Sequence, residues 1–316
     1  MDDSRADATG PNRTPGLDPS LGVALGVVAI SFAPVFVEGI DPEELGPTGI
    51  ALWRTALGGV ALWILALVRR ERLRPSRAAL GFAVLAGALF AGDLWVWHRA
   101  IHRVGGGLAT LLGNVQVFWT GLVGAFVFHE RSGKRLLAAV PLALAGLALA
   151  TGMLEGGASR ADPGGLALGL ATSGFYAAYL LTVRRAQRLP DRLGPVAMMT
   201  WTSFACAASC ALLALVDGGR AWPTSASAWG LAAGLGVVGQ GFGWVTIATF
   251  VPRVPVGRAG LLLLLQPAFS LVWAAWLFDR DLSALQTVGA VLTLAAIYVG
   301  STASYPRPPA PVAPSD

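Results

Sequence analysis

A chain of 316 residues that is 54% hydrophobic and only 13% charged, with a mean hydropathy of +0.61, has more apolar surface than one soluble core can hide. It reads as an integral membrane protein. The net charge of +5 and pI near 9.9 do not signal nucleic acid, because the cations sit in short clusters between apolar segments, where they report membrane orientation. The two cysteines, Cys206 and Cys210, stand i and i+4 on one apolar stretch. Without further thiols they exclude a disulfide framework or a zinc site and read as small packing residues.

In chain order, residues 1–20 form a polar, Gly- and Pro-containing tail with no basic start leading into a short apolar run, so the first helix is expected to be uncleaved. A bilayer core about 30 Å thick needs on the order of 20 helical residues at about 1.5 Å rise each. The windows that meet this are 21–38, 48–68, 79–100, 106–128 and 135–153, then 164–183, 194–216, 228–250, 257–278 and 284–302. Residues 303–316 carry five prolines, from Pro306 to Pro314, and are expected to be a disordered tail. The fold class expected is therefore all-α and membrane-embedded, with ten transmembrane helices.

The two sets of five windows repeat one another. Between 103–130 and 253–280 nine of 28 residues are identical without a gap, among them Arg103/Arg253, Gly107/Gly257, Gln116/Gln266 and Phe128/Phe278. A coincident Arg and Gln in otherwise apolar sequence mark an internal duplication, with repeats at 21–153 and 164–302. Five crossings are an odd number, so the second copy enters the membrane upside down relative to the first. Inverted repeats of this kind are the plan of a carrier. The basic loops at 69–78, 129–134, 184–193 and 251–256 alternate with cation-poor loops, which places both termini in the cytoplasm of a cell with the chain in its plasma or inner membrane.

The repeat ends, Ala109 to Arg131 (ATLLGNVQVFWTGLVGAFVFHER) and Ala259 to Leu282 (AGLLLLLQPAFSLVWAAWLFDRDL), resemble the signature stretches of the drug/metabolite transporter superfamily, EamA-like branch. The segment ALWRTALGG around Arg54 is similar to the second-helix arginine stretch of that family. The resemblance spans residues 21–302 and implies two inverted five-helix repeats around a central cavity, and transport of small metabolites. Its matching positions are Arg54, Gln116, Glu130, Gln266 and Pro267. Val117 stands where the first repeat of the family commonly has proline, so a symmetric kink is not expected; Arg280 aligns with Glu130, flanked by Asp279 and Asp281.

Two ionisable side chains fall inside apolar windows, Arg54 and Asp93, at similar depths of about 9 and 10 Å by helical rise. Such charges are costly in a membrane, so each pairs or faces a cavity. Three readings stand: a structural ion pair, charges on the substrate path, or an Arg54 side chain that snorkels to the interface. Gln116 and Gln266 lie near mid-membrane, where their amides would hold polar substrate atoms or tie helices together. Asn114 and Gln240 are candidates of the same kind, and Gln240 amid Gly239, Gly241 and Gly243 predicts an irregular eighth crossing.

Of eleven tryptophans, most of Trp53, Trp63, Trp222, Trp229, Trp273 and Trp276 read as interfacial or lipid-facing anchors. Trp95, Trp97, Trp119, Trp201 and Trp244, with Tyr176 and Tyr179, are candidate cavity walls. His98, His102 and His129 are scattered near helix ends and imply no metal. Glycine pairs four apart, such as Gly22/Gly26, Gly165/Gly169 and Gly239/Gly243, suit close helix packing.

A membrane-embedded enzyme would need clustered acids, histidines or a nucleophile, which the short loops and scattered histidines do not offer. No ring of charges suggests a channel. No phosphate-binding loop with Lys-Ser/Thr is present, so the expected protein is a secondary carrier, with no catalytic residues and no cofactor. Its expected partners are a small organic solute such as an amino acid, the lipid bilayer and, as a candidate coupling ion, the proton. Export is the preferred direction; import or facilitation of a vitamin-like or sugar-like metabolite is the alternative.

Overall fold

The structure, a computed structural model, describes residues 17–41, 43–104, 106–127, 134–150, 162–277 and 283–301, and these are helical throughout apart from short connections. The first repeat comprises α1 (Pro19–Ile30), α2 (Ala33–Glu38), α3 (Pro47–Val68), α4 (Arg77–Val104), α5 (Gly106–Asn114), α6 (Gln116–Phe126) and α7 (Lys134–Ala150). The second comprises α8 (Pro163–Ala186), α9 (Pro195–Asp217), α10 (Ala226–Gly234), a π-helix (Leu235–Gly243), α11 (Trp244–Phe250), α12 (Val256–Leu263), α13 (Leu265–Leu277) and α14 (Ala284–Ser301). Five of these helical runs are long and apolar enough to cross a membrane, and five further apolar helices are shorter. Three crossings are interrupted, each built of two helices: α1 with α2, α5 with α6, and α12 with α13.

Each repeat opens with the same device. Asp18 accepts hydrogen bonds from the Ser20 and Leu21 amides, Asp162 from Gly164 and Gly165, and a proline follows at the first helical position in both. These caps satisfy orphan amides that no helical carbonyl reaches. Slight desolvation raises the Asp162 carboxyl, but the Gly165 and Gly164 amides and the Arg103 guanidinium outweigh it and hold the group below the usual carboxylate range.

The inversion is visible where equivalent helices meet. At the start of α3 the Gly46 amide donates to Arg220 beyond the end of α9, in its middle Gly59 faces Ser203 and Phe204, and beyond its end Glu71 accepts from the Ala197 amide near the start of α9. The two helices are antiparallel. The fifth crossings do the same: Gly146 of α7 lies against Thr293 of α14, and Ala150 against Gly289. Second and fifth crossings can pack antiparallel on their own repeat equivalents only if one repeat is upside down.

A reciprocal pair of hydrogen bonds makes the symmetry explicit. Aligning Gly46-Pro47 with Gly194-Pro195, an offset of 148, carries Trp53 onto Trp201 and Leu73 onto Ala221. The Trp53 indole donates to the Ala221 carbonyl at 2.7 Å, and the Trp201 indole to the Leu73 carbonyl at 2.9 Å. Trp→Phe at either position is expected to cost about 2 kcal/mol, the net worth of one hydrogen bond together with the packing of the ring atoms removed. Chemical unfolding of the detergent-solubilised protein should give similar losses for the two, and a difference of several kcal/mol would contradict the equivalence.

The structure departs from the sequence expectations at the fourth crossings and at Trp273. Val117 in place of proline argues against a symmetric kink, yet both fourth crossings break within one residue of equivalent places, at Val115 and at Leu264. Pro267 accounts for the second, since it has no amide to give the Leu263 carbonyl. Both sites tighten to i−3 bonding, Val115 to Leu112 and Leu264 to Leu261, each at 3.1 Å. Trp273 is not a lipid-facing anchor: it stacks on Phe32 at 4.4 Å and donates to the Ser31 hydroxyl at 2.7 Å, where the first crossing is interrupted. Trp53, Trp222 and Trp229 form one aromatic cluster at a single end of the helices, with centroids 4.5–6.3 Å apart. Cys206 and Cys210 are buried free thiols in the core.

Candidate substrate site

The glycines that flatten the second and eighth crossings decide how the centre is built. Gly236 and Gly58 let the π-helix and α3 touch backbone to backbone: a Cβ on Gly236 would lie 2.8 Å from the Arg54 carbonyl and 2.9 Å from the Gly58 nitrogen. A Cβ on Gly243 would in turn lie 3.2 Å from the Gly26 carbonyl of α1. The eighth crossing is therefore held from both sides, and its i+5 bonding falls where the sequence predicts irregularity, around Gln240. π-Helical turns of this kind recur at functional positions. Gln240 is fully buried and donates to the Ser203 hydroxyl of α9 at 2.9 Å, while its Oε1 has no hydrogen-bond partner.

One helical turn from that contact, Arg54 projects from α3 with its Cζ 5.8 Å from the centre of the Phe90 ring on α4. Asp93 follows Phe90 on α4 at i+3, hence on the same face. Asp93 is 8% exposed, and its Oδ1, the Arg54 Nε and the Tyr176 hydroxyl are buried without hydrogen-bond partners. An aromatic group closes on these polar atoms. Phe90 stacks on Tyr179 at 4.9 Å, and Trp244 meets Phe90 and Tyr179 edge-on at 5.2 Å and Tyr176 at 6.0 Å. The Tyr179 hydroxyl lies 3.8 Å from the Met199 sulfur.

The structural ion pair between Arg54 and Asp93 does not form. Equal depth fixes the height of two side chains but not the direction in which each points. Ion pairs are found instead toward helix ends, Arg99 with Asp217 and Arg103 with Asp162. Asp217 gathers one of those ends: it accepts from Thr48 of α3, from the Trp95 indole at 3.1 Å and from Arg99, which lies over the Trp95 ring at 3.4 Å. A cleft of about 240 Å³ lined by Gly46, Thr48, His98, Arg99, Asp217 and Arg220 opens beside it.

The structure thus brings together Arg54, Asp93, Tyr176 and Trp244, with Gln240 a turn away, and adds Phe90 and Tyr179. The remaining candidates lie apart. Gln116 is fully buried and donates weakly to the Gly260 carbonyl of α12, at 3.4 Å, so it ties the two fourth crossings together; Gln266 is half-buried and does not mirror it. Asn114 is buried at the α5 end. Trp119 is 47% exposed and donates to Ser173 of α8 at 3.0 Å, and Trp97 packs on His98. Trp95 and Trp201, read as cavity walls, hydrogen-bond at helix ends. His129, Glu130 and Asp279 to Asp281 lie outside the described residues. Phe90 escapes a reading of the sequence because a lone phenylalanine on an apolar helix carries no signal of its own; its spacing from Asp93 is the only clue.

The family model described as the EamA-like transporter family matches this chain twice, over residues 20–152 and 163–302. The chain belongs to the EamA-like transporter family. Each match covers one inverted half, so Arg54, Phe90 and Asp93 of this EamA-like transporter come from the first half, and Tyr176, Tyr179 and Trp244 from the second. Among curated proteins it is similar to a "Probable amino-acid metabolite efflux pump" of Escherichia coli (strain K12), 29% identical over 236 residues, which are 71% of this chain and 76% of that one. A protein of the same description from Salmonella typhimurium (strain LT2) is 28% identical over 204 residues, 61% of this chain and 66% of that one. A crystal structure matches with a TM-score of 0.76 at 18% identity, covering 90% of this chain and 97% of the other, which speaks for the fold alone.

Proposed function

We propose that this EamA-like transporter is a secondary carrier that exports small amino-acid-like metabolites by alternating access between its two inverted repeats. The observation that carries the reading is the placement of partnerless buried polar atoms, on Arg54, Asp93 and Tyr176, at the seam between the repeats. Natural proteins rarely leave such atoms unsatisfied, and in a membrane carrier a solute is the partner that comes and goes. The relatives' efflux descriptions support the direction and the solute class. Rocking of one repeat on the other, across glycine contacts that lack strong bonds, exposes the seam to each side in turn. No step needs a cofactor; a gradient of solute or protons drives the cycle.

The reading is tested in cells carrying or lacking the gene, preloaded with amino acids through dipeptides. Faster efflux with the gene present is expected; equal efflux over a broad amino-acid panel, with the protein shown to be in the membrane, contradicts it. The reading also sets orientation, with both termini in the cytoplasm. Single cysteines at Arg72 and Arg188 should resist an impermeant thiol reagent in intact cells, whereas those at Glu43 and Thr224 should react. Native Cys206 and Cys210 are buried and stay silent. Outside labelling at Arg188 reverses the topology.

A further inference from the structure

The two charges at the seam have opposite sign, Asp93 buried and Arg54 half-buried, and they make no direct ion pair, each keeping a buried polar atom without a hydrogen-bond partner. Together with the carrier reading above, on which this inference rests, that arrangement specifies a ligand. We infer that Arg54 and Asp93 are the two poles of a zwitterion site, Arg54 taking a substrate carboxylate and Asp93 an ammonium, with the Phe90, Tyr176, Tyr179 and Trp244 rings against the substrate's apolar side chain.

Charge balance carries the argument. A buried charge left without a partner is strongly unfavourable. An anionic solute would satisfy Arg54 and leave Asp93 stranded, and a cationic solute would do the reverse. A zwitterion meets both at once and brings no net charge into the membrane. The guanidinium fork suits a carboxylate, and a carboxylate oxygen without a hydrogen-bond partner suits an ammonium donor.

Orientation follows from the broken symmetry of the repeats. The offset of 148 that matches Trp53 with Trp201 places Thr202 opposite Arg54, and the offset of 150 that matches Gln116 with Gln266 places Gly243 opposite Asp93. Only the first repeat supplies charge. The second supplies three of the four rings, so the substrate's polar head lies on the α3 and α4 side and its side chain points toward α8 and α11. In this conformation the rings rest on one another at 4.9–6.0 Å, so the substrate enters as α8 and α11 part from α4.

The test uses the full-length protein in liposomes, measuring counterflow of labelled phenylalanine against unlabelled competitors. Phenylalanine is the zwitterion, phenethylamine keeps only the cation, and 3-phenylpropionate keeps only the anion. Wild-type protein is expected to be inhibited by phenylalanine at concentrations at least about tenfold lower than by either single-charge analogue. Asp93→Asn should erase the preference over 3-phenylpropionate alone, and Arg54→Gln the preference over phenethylamine alone. Equal inhibition of the wild type by all three compounds overturns the charge assignment while leaving the carrier reading intact, and this arm needs no variant to fold. Variants that lose all three interactions alike also overturn it. Absence of counterflow for phenylalanine and for every other zwitterionic amino acid tried overturns both readings.

Discussion

A single methyl group at Gly289 is expected to cost this protein about 3 kcal/mol or more, at the upper end of what overpacking a helix interface does. A Cβ there meets the backbone nitrogen of Ala150 and comes within 2.6 Å of both the Gly146 carbonyl and the Leu149 Cβ. Two of the three obstacles are main-chain atoms of α7, which cannot rotate away. The seam between α7 and α14 also includes Gly146, whose own Cβ would lie 2.7 Å from the Thr293 nitrogen, so the two helices touch backbone to backbone at both glycines. Gly81→Ala is the control. Nothing lies within 4 Å of a Cβ at Gly81, in the body of α4, and replacing a helical glycine there should stabilise by about 0.5–1 kcal/mol. Thermal unfolding of the purified protein in detergent reads both. Tolerance of Gly289→Ala would mean that α7 and α14 do not meet in this register.

The second large effect belongs to Asp217. Its carboxylate, at the end of α9, joins three helices through Thr48 of α3 and through Trp95 and Arg99 of α4. Removing it in Asp217→Ala breaks three bonds worth about 1 kcal/mol each, the Arg99 bond more because it is charge-assisted. The Arg99 side chain is 34% exposed, so solvent screens part of that contribution, and a total loss of about 3 kcal/mol is expected. Asp217→Asn keeps an acceptor and should lose about half as much. The same measurement applies. Equal stability of the wild type and Asp217→Ala would show that the network closes no end of the molecule.

Much of this architecture is legible in the order of the residues. The duplication follows from paired Arg, Gly and Gln in apolar surroundings, and the inversion from an odd number of crossings. The irregular eighth crossing follows from Gln240 among glycines, where a small-residue run weakens regular helical packing. Arg54, Asp93, Tyr176 and Trp244 also stand out by residue type alone. What stays hidden is azimuth. Depth along a helix comes from counting residues, but whether Arg54 turns toward Asp93 or toward the Phe90 ring depends on how α3 and α4 rotate against each other, and no local pattern encodes that. Trp273 misleads for a related reason: an amphipathic indole suits a lipid interface and a buried hydroxyl partner equally well, and Ser31 lies 242 residues away. Val115 breaks its helix without a proline, so the first repeat's share of the interruption leaves no mark in the sequence, while Pro267 marks the second.

The central claim is that the two repeats must part for a solute to cross. Glu44, before α3, accepts a hydrogen bond from Ser225, the cap of α10, at 2.6 Å, so this contact joins the repeats at one end. A double variant, Glu44→Cys with Ser225→Cys, can be joined there by a short bifunctional thiol reagent while buried Cys206 and Cys210 stay unreacted. Amino-acid counterflow in liposomes is then measured before and after cross-linking, with completeness checked by mass spectrometry. The account predicts that counterflow stops in the cross-linked double variant and persists in each reagent-treated single variant; unchanged counterflow through a fully cross-linked protein would contradict it.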